Sequence, residues 1–369
     1  MNKILNSSVL KTAMDNAGFN QAQLAKELDV SIDTLSQWLK GKRFPSPEKL
    51  LSMGLLLELS FDEIQKPISS PAEPVVAFHN KSSTKTTTAS ITHAKNIGRM
   101  LTALVPYVPY DDFIQPATLK QPLNEYSYLQ KLVTKIRAEI GVSPTEVLNF
   151  HHLIKKFNEL QAVLIPVLWG QRQDNALHIY LPDSMTTWIY LNLDSEIHHF
   201  KFWMAHELGH VYAPTLTEAE DFADAFAAAL LFPESLAKLA YKTITQLKEI
   251  NARINMITHL TEVQVISPLC GYEQLNKYAH YHNLPPVDLG SAIYETHFHK
   301  AHSCLSDILF EGKKPSVVSY LKACQQIFDT PFFEMLPKYL VETRKSAGFI
   351  QNVLDIPLLD AQAIYMELS

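Results

Sequence analysis

The sequence "WMAHELGHVYAPTLTEAEDFADAFAAALLFP", Trp203–Pro233, places two histidines and a glutamate as H-E-x-x-H ahead of a second helical segment. His206 and His210 lie four positions apart, so on a helix their imidazole rings share one face, about 6 Å apart, and can bind one tetrahedral cation. Glu207 points about 100° around the helix from His206, where a carboxylate can polarise a metal-bound water. This spacing is that of zinc peptidases. The alternative is an ordinary helix with two histidines on its core face.

The segment after the histidines carries acidic side chains beside a buried stripe. Projected at about 100° per residue, residues 218–232 form one sector of Glu220, Ala223, Asp224, Ala227 and Leu231, next to Phe222, Phe226 and Leu230. Carboxylates in such a place are costly unless a cation or hydrogen-bond donors compensate them. Glu220 is therefore the candidate third ligand, since Glu218 and Asp221 point away. Asp224 is the candidate acceptor for a histidine N–H, with a helix cap or a solvent-exposed role as the alternative.

A different pattern stands near the amino terminus, in "NQAQLAKELDVSIDTLSQWLKGK" from Asn20 to Lys42. Asn20 and Ser31 are suited to cap two short helices, and a tight turn at Asp29 separates them. Leu35, Trp38 and Leu39 form the buried side of the second helix. Two helices joined in this way predict a helix-turn-helix, whose second helix fits the DNA major groove. The alternative is a small helical bundle that binds protein.

The amino-terminal pattern resembles the phage-repressor or XRE family of helix-turn-helix domains from Ser8 to Gln65, including "FNQAQLA", "DVSIDTLSQWLKGKRFPS" and "LELSFDEI". The resemblance implies a five-helix bundle that binds a double-stranded DNA operator as a homodimer. It places Gln21 at a backbone phosphate and basic side chains at others. The DNA-contacting set that it implies is Gln21, Ser31, Ile32, Asp33, Thr34, Gln37, Lys40, Lys42 and Arg43, of which Ile32, Asp33, Thr34 and Gln37 face base edges.

Two features depart from the family pattern. Asp29 replaces the usual turn glycine, and Asp33 at a base-reading position favours cytosine but repels phosphate. Residues 1–66 carry eight basic and eight acidic side chains. We therefore expect modest non-specific affinity for DNA.

The central region resembles the ImmA/IrrE metallopeptidase family over about residues 125–240. The resemblance is carried by "FKFWMAHELGH" and "EDFADAFAAALLFP", which follow three short strand-like segments, "AVLIPVLWG", "ALHIYLP" and "TWIYLNL". It implies a zincin-like α+β domain with Zn²⁺ on His206, His210 and Glu220, and with Glu207 as general base and acid. Here only nine residues separate His210 from Glu220, and "HHFKF" replaces the usual arginine before the motif.

Composition sets the class of the protein. The chain has 369 residues, 47% of them hydrophobic and 19% charged, with a net charge of −6. This length predicts two or three domains, and the charge argues against a surface covered by nucleic acid. The sequence has no signal peptide and no apolar run of membrane-spanning length. We therefore expect a cytoplasmic protein without a membrane partner. Three widely spaced cysteines predict no disulfide framework.

These patterns predict a multi-domain, mainly α protein with a small antiparallel sheet. Residues 1–66 form the helix-turn-helix bundle, 67–92 a Ser/Thr/Pro-rich linker, 93–240 the zincin-like domain and 241–369 a helical C-terminal domain of unknown role. Helices are predicted over 124–141 and 144–160. Tyr212, Tyr294 and His299 are candidates to stabilise an oxyanion. His297, His299, His302 and Cys304 form a weaker candidate for a second metal site, with a solvated or packed histidine-rich helix as the alternative.

Together the motifs predict a DNA-binding transcriptional regulator with a zinc-dependent endopeptidase domain. Members of the ImmA/IrrE family typically cleave a helix-turn-helix repressor in stress, mobile-element or phage-defence circuits. The substrate is then a repressor-type protein, either this chain or a partner. The alternative is an antitoxin or sensor in which the zincin-like domain binds a partner protein or zinc with little proteolysis.

Overall fold

The computed structural model describes residues 3–40, 43–67, 72–80, 87–109, 112–114, 119, 122–170, 174–213, 219–294 and 303–368. Within these ranges the chain forms eighteen α-helices and eight short strands. Its buried side chains fall into two hydrophobic cores, one within the first 64 residues and one that extends from Ala94 to Ile364. Among the described helices we find no candidate for a membrane-spanning segment.

The amino-terminal residues form a five-helix bundle around a small core of their own. Asn20 accepts a hydrogen bond from the Gln23 amide, and Ser31 accepts one from Thr34, so both predicted caps begin helices. A two-stranded antiparallel ribbon of β1 (Lys3–Leu5) and β3 (Gln65–Pro67) joins the two ends of the bundle. The helices are α1 (Ser7–Asn16), α2 (Gln21–Glu27), α3 (Ile32–Leu39), α4 (Pro47–Leu57) and α5 (Phe61–Ile64). β2 (Arg43–Pro45) pairs antiparallel with β5 (Asp112–Ile114).

A four-stranded mixed sheet lies at the centre of the larger core. Its strands stand in the order β4-β7-β8-β6, namely β4 (Val75–Asn80), β7 (Asp174–Leu181), β8 (Thr186–Asn192) and β6 (Ala162–Val167). β4, which was not predicted, pairs antiparallel with β7. The antiparallel prediction is confirmed for β7–β8 but wrong for β6, which runs parallel to β8. The reason is that β7 and β8 form a hairpin, and β6 pairs with the outer side of β8. Complete burial of β6 and β8 fits this parallel arrangement, because helices cover both faces of the sheet.

One of these strands comes from the predicted linker. Residues 67–92 contain β4, which forms the edge of the sheet, so over Val75–Asn80 this segment is part of the fold. The β-branched and aromatic side chains of "VVAF" favour a strand despite their Ser- and Pro-rich surroundings. Pro74 packs closely on Gly98 of the following helix.

Helices cover both faces of the sheet. α9 contacts the face that carries His178, whereas Gly98 of α6 approaches Ile179 on the opposite face. The helices of this region are α6 (Thr88–Leu101), α7 (Tyr126–Ile140), α8 (Phe150–Glu159), α9 (Ile197–Tyr212) and α10 (Ala219–Leu231). α8 begins six residues later than the predicted start at Pro144, because Asn149 provides the capping box.

The remaining helices complete the same core. Tyr320 donates a hydrogen bond to the carbonyl of Pro166, and Tyr190 donates one to Val353, both at 2.6 Å. The described residues between 241 and 368 therefore pack onto the sheet and share its core, unlike the distinct C-terminal domain that the sequence predicts. The helices are α11 (Glu234–Ile244), α12 (Ile250–Gln264), α13 (Pro268–Tyr281), α14 (Leu305–Leu309), α15 (Val317–Phe328), α16 (Phe332–Thr343), α17 (Ala347–Leu354) and α18 (Leu358–Leu368).

Candidate metal centre and DNA-contacting face

Two neighbouring helices, α9 and α10, approach each other closely through small residues. A Cβ atom placed on Gly209 would lie 3.0 Å from Cα of Ala223 and 3.2 Å from a ring carbon of Phe226. This separation leaves no room for a larger side chain at the crossing. The close approach brings the acidic first turn of α10 against the histidine face of α9.

Three potential ligands converge at this crossing. Nε2 of His206 lies 2.9 Å from Nε2 of His210. The Glu220 carboxylate reaches both rings, with Oε2 3.6 Å from His206 Nε2 and Oε1 3.5 Å from His210 Nε2. Both histidines are buried, whereas the side chain of Glu220 is 54% exposed. Among the described residues this is the single group of three or more His, Cys, Asp or Glu side chains close enough to hold a metal ion.

The dimensions of the cluster fit a small divalent cation. Tetrahedral zinc with ligand distances of about 2.0–2.1 Å has ligand atoms about 3.3 Å apart. The three separations of 2.9, 3.5 and 3.6 Å bracket that value. Two imidazoles and one carboxylate are also a donor set that leaves a fourth position for water or substrate. His206, His210 and Glu220 could therefore hold zinc.

Asp224 determines which nitrogen of His206 carries a proton. Its Oδ1 lies 2.8 Å from Nδ1 of His206 and accepts a hydrogen bond from it. In the neutral ring this leaves the lone pair on Nε2, which faces the cluster. Burial acts to lower the pKa of His206, but Asp224 and Glu220 outweigh it and raise this pKa to about 9.

Glu207 points toward the sheet and is fully buried. Its Oε2 lies 3.2 Å from Nδ1 of His178, a buried residue in the middle of β7. The His178 ring is also near the His210 ring, with 5.6 Å between centroids. His178 was not predicted from the sequence, because no linear spacing relates it to the H-E-x-x-H motif. The available signal was a histidine inside the apolar run "ALHIYLP".

Several other candidates do not join the cluster. Tyr212 packs against Phe226, and burial raises its pKa to about 12. Tyr294 is 47% exposed after α13. Cys304 lies at the start of α14, and its backbone forms an isolated antiparallel β-bridge with that of Glu196. Glu218, His297, His299 and His302 lie outside the described residues.

The face expected to contact DNA is formed by the start of α2 and by α3. Gln21 is the first residue of α2 and is exposed, and Ser31 caps α3 by accepting a hydrogen bond from Thr34 N at 3.0 Å. On α3 the side chain of Ile32 is 54% exposed. Gln37 donates to the Asp33 carboxylate at 2.6 Å, one helical turn away. Two of the three polar side chains predicted to face base edges therefore bind each other here.

Basic side chains flank this face. Lys40 is exposed at the C-terminal end of α3, and Lys42 lies outside the described residues. Arg43 is half-buried in β2, where its backbone pairs with Ile114. In the turn between α2 and α3, Asp29 has a φ of 52°, the left-handed conformation in which glycine is favoured.

Comparison with known families matches residues 10–64 to the family described as Helix-turn-helix. No curated protein sequence is significantly similar to the chain. The match covers the five-helix bundle and both helices of the candidate DNA-contacting face. The amino-terminal domain is therefore an XRE-type helix-turn-helix, as found in DNA-binding regulators of transcription.

Proposed function

We propose that this protein is a transcriptional regulator whose larger domain is a zinc-dependent endopeptidase of the ImmA/IrrE type. The observation that carries the proposal is the cluster of His206, His210 and Glu220, with atoms 2.9–3.6 Å apart and Glu207 on the same helix. An ordinary core helix with two histidines gives no reason for a carboxylate from another helix to reach both rings. A metal centre gives that reason, because the carboxylate and both rings would bind the same ion.

Each residue of the centre has its own role in the proposed peptide hydrolysis. His206, His210 and Glu220 would hold a zinc ion, which would supply Lewis-acid chemistry toward water and the scissile carbonyl. Glu207 takes the proton of the attacking water and delivers it to the leaving amine. Asp224 holds His206 in the tautomer whose Nε2 faces the cluster.

The substrate that fits this architecture is a repressor-type protein, either this chain or a partner. Support comes from the helix-turn-helix domain in the same polypeptide, which directs the protein to an operator. Cleavage of a repressor, or of a toxin bound with it, relieves repression in a stress, mobile-element or phage-defence circuit. On DNA we expect a homodimer, because paired half-sites are how helix-turn-helix proteins gain affinity.

Exposed apolar side chains in the amino-terminal domain support the homodimer. Leu51 and Leu55 of α4 are 50% and 74% exposed, and Phe61 of α5 is 45% exposed. A second copy of the chain would cover them. Sedimentation analysis of the wild-type chain and of Leu55→Lys tests this, with a dimer expected only for the wild type. A monomeric wild-type chain at operator-binding concentrations contradicts it.

A second candidate function is a sensor or antitoxin whose zincin-like domain binds a partner or zinc without turnover. Complete burial of Glu207 favours it, because a general base must reach the attacking water. Glu207→Gln separates the two candidates. We expect it to retain zinc and partner binding and to lose cleavage.

The direct assay is incubation of the purified chain with zinc and a candidate repressor, followed by intact-mass analysis. Wild-type chain should produce fragments, and Glu207→Gln should not. Glu196→Gln, at the start of the same helix, is the matched control and should cleave like wild type. Uncut wild-type chain and uncut partner under all inducing conditions would favour the binding module.

A further inference from the structure

β7 has two edges, and its outer edge is covered by a strand from the segment between the two domains. β8 pairs with one side of β7 and β4 with the other, so β4 is the outermost strand of the sheet. The pairing is antiparallel over Val75–Asn80, with an irregularity between His79 and Asn80. β4 begins eight residues after β3, the last element of the helix-turn-helix domain.

This edge lies beside the candidate metal centre. Ala77 stands directly opposite His178 in the register of the two strands. Opposed residues of an antiparallel pair have Cβ atoms about 5 Å apart on the same face of the sheet. His178 in turn contacts Glu207 at 3.2 Å. Only one side chain therefore separates β4 from the proposed general base.

β4 is held at this edge mainly by main-chain pairing with β7, and its described side chains are exposed or only partly buried. Val75 is 39% exposed and Ala77 is only half-buried, whereas Val76 packs partly into the core. Just before the strand, both carboxylate oxygens of Glu73 accept hydrogen bonds from Arg99 at 2.8 and 2.9 Å. This ion pair is exposed, and exposed pairs contribute little to stability. Exchange of β4 for another strand therefore disrupts little of the core.

We propose that the outer edge of β7 is the peptide-binding edge of the centre, and that β4 is an internal occupant that keeps it closed. The partner is an extended segment of a repressor-type protein with alternating apolar side chains, which pairs with β7 in place of β4. Main-chain hydrogen bonds supply the affinity in such strand addition, and alternate side chains supply the specificity. This inference rests on the proposed function, because it assigns the substrate site of the same centre.

Tethering explains why the edge is closed at rest. A strand joined to its site by a short connection has an effective concentration of about millimolar. A free peptide at micromolar concentration therefore cannot displace it. Any change that weakens the pairing of β4 with β7 should increase the apparent affinity for an added peptide. The increase should be proportional to the fraction of molecules in which β4 has left the edge.

The test measures peptide binding to the full-length chain by fluorescence anisotropy, in the presence of EDTA so that no cleavage occurs. The probe is a labelled peptide that copies residues 72–80, and a scrambled peptide is its control. Val76→Asp puts a carboxylate in the half-buried position and should release β4. Val75→Asp makes the same change at the exposed position. We expect Val76→Asp to bind the peptide at least about tenfold more tightly than wild type or Val75→Asp.

Glu73→Lys provides a second variant, since a surface change of this kind leaves the core intact. It places a cation beside Arg99 and Lys95, which lie 2.8 and 3.7 Å from the Glu73 carboxylate. It should also tighten peptide binding, and amide hydrogen exchange of β7 should rise in both variants and fall again when peptide is added.

Equal peptide binding by the wild type, Val76→Asp and Glu73→Lys would overturn the inference. Cleavage of the wild-type chain within residues 75–80 would also overturn it. Such cleavage would make β4 a substrate of the centre and not the occupant that keeps its edge closed. Peptide binding and hydrogen exchange can both be measured without zinc or catalysis. A protein that binds the peptide after release of β4 but never cleaves therefore retains this inference and loses the proposed peptidase activity.

Discussion

At the scale of single residues, the proposed centre depends on where the proton of His206 sits. Asp224 accepts it at Nδ1 from 2.8 Å away, and the opposite nitrogen is left to face His210 and Glu220. An acceptor of this kind fixes both the orientation and the tautomer of a ligating imidazole. Asp224 should therefore matter for metal binding although it is not itself a ligand.

The first prediction concerns this acceptor. Asp224→Asn should weaken zinc affinity by about 10- to 100-fold, because a neutral amide is a poorer partner for the Nδ1 proton. Competition with a chromophoric chelator measures the affinity. Asp221→Asn, on an exposed position of the same helix, is the matched control. Equal affinities in the two variants would remove Asp224 from the site.

The second prediction concerns the helix-turn-helix turn. Asp29 has a φ of 52°, which an L-residue adopts at a cost that glycine avoids. Asp29→Gly should raise the free energy of unfolding of this domain by about 1 kcal/mol. Asp33→Gly, in the right-handed helix α3, should lower it by about 0.5–1 kcal/mol. Urea denaturation compares the two, and a loss of stability in Asp29→Gly contradicts the turn geometry.

The residues of the centre show what spacing can and cannot predict. His206, His210, Glu220 and Asp224 were predicted from helical periodicity, and the structure brings all four together. His178 was not predicted, because its proximity to Glu207 arises from packing of a helix on a strand. Periodicity relates positions on one helix and carries no information about which strand the helix will cover.

At the scale of elements, the geometry of the centre depends on how closely α9 and α10 pack. Gly209 is the residue at which these helices meet. The third prediction is that Gly209→Ala will separate them, lowering the free energy of unfolding by about 1–3 kcal/mol. It should also weaken zinc binding, since Glu220 reaches the histidines from α10.

The control for this prediction is Gly348→Ala in α17. A Cβ atom there would meet nothing closer than 3.5 Å, so the change should stabilise the helix by about 0.5–1 kcal/mol. Thermal unfolding and a zinc titration of both variants provide the comparison. Unchanged zinc affinity in Gly209→Ala would contradict the dependence of the centre on this crossing.

A buried lysine links α9 to α12. Lys201 donates a hydrogen bond to the carbonyl of Gln264, and burial lowers its pKa from 10.5 to about 7, with Arg137 adding to the effect. Below pH 10.5 the unfolded chain binds a proton that the folded chain releases, until the folded chain also binds it below about 7. The burial of Lys201 therefore destabilises the fold most below about pH 7, and this cost disappears as the pH rises toward 10.5.

The fourth prediction follows from the way this cost decreases with rising pH. Lys201→Met should increase the free energy of unfolding, and the increase should shrink as pH rises from about 7 to about 10. Lys238→Met, at an exposed position of α11, should show no such trend. Denaturant unfolding of the three proteins across this pH range measures the difference. An increase that is independent of pH would contradict the lowered pKa of Lys201.

Prediction from the sequence was less successful for elements that depend on distant partners. The hairpin strands β7 and β8 were predicted, because alternation and turn residues are local. The parallel pairing of β6 was not predicted, since it depends on which edge of the hairpin remains open. β4 was missed because its short apolar run lies within a Ser- and Pro-rich segment, and only the edge of β7 makes it a strand.

At the scale of the whole molecule, the chain combines an amino-terminal bundle with its own core and a larger unit built on the sheet. Caps and periodicity predicted two helices of the first, and the family resemblance implied all five. The second was predicted only as far as α10. Residues 241–368 complete its core through contacts such as Tyr320 with Pro166. No local pattern predicts that a late helix returns to an early strand.

The larger unit is proposed to contain a metal centre formed by His206, His210 and Glu220. The most direct test of this proposal is the zinc content of the purified full-length chain, measured after reconstitution and removal of excess metal. We predict one zinc ion per wild-type chain, none in Glu220→Ala and one in Asp221→Ala. A reconstituted wild-type chain without zinc would contradict the account and leave a helix-turn-helix protein joined to a domain with no metal centre.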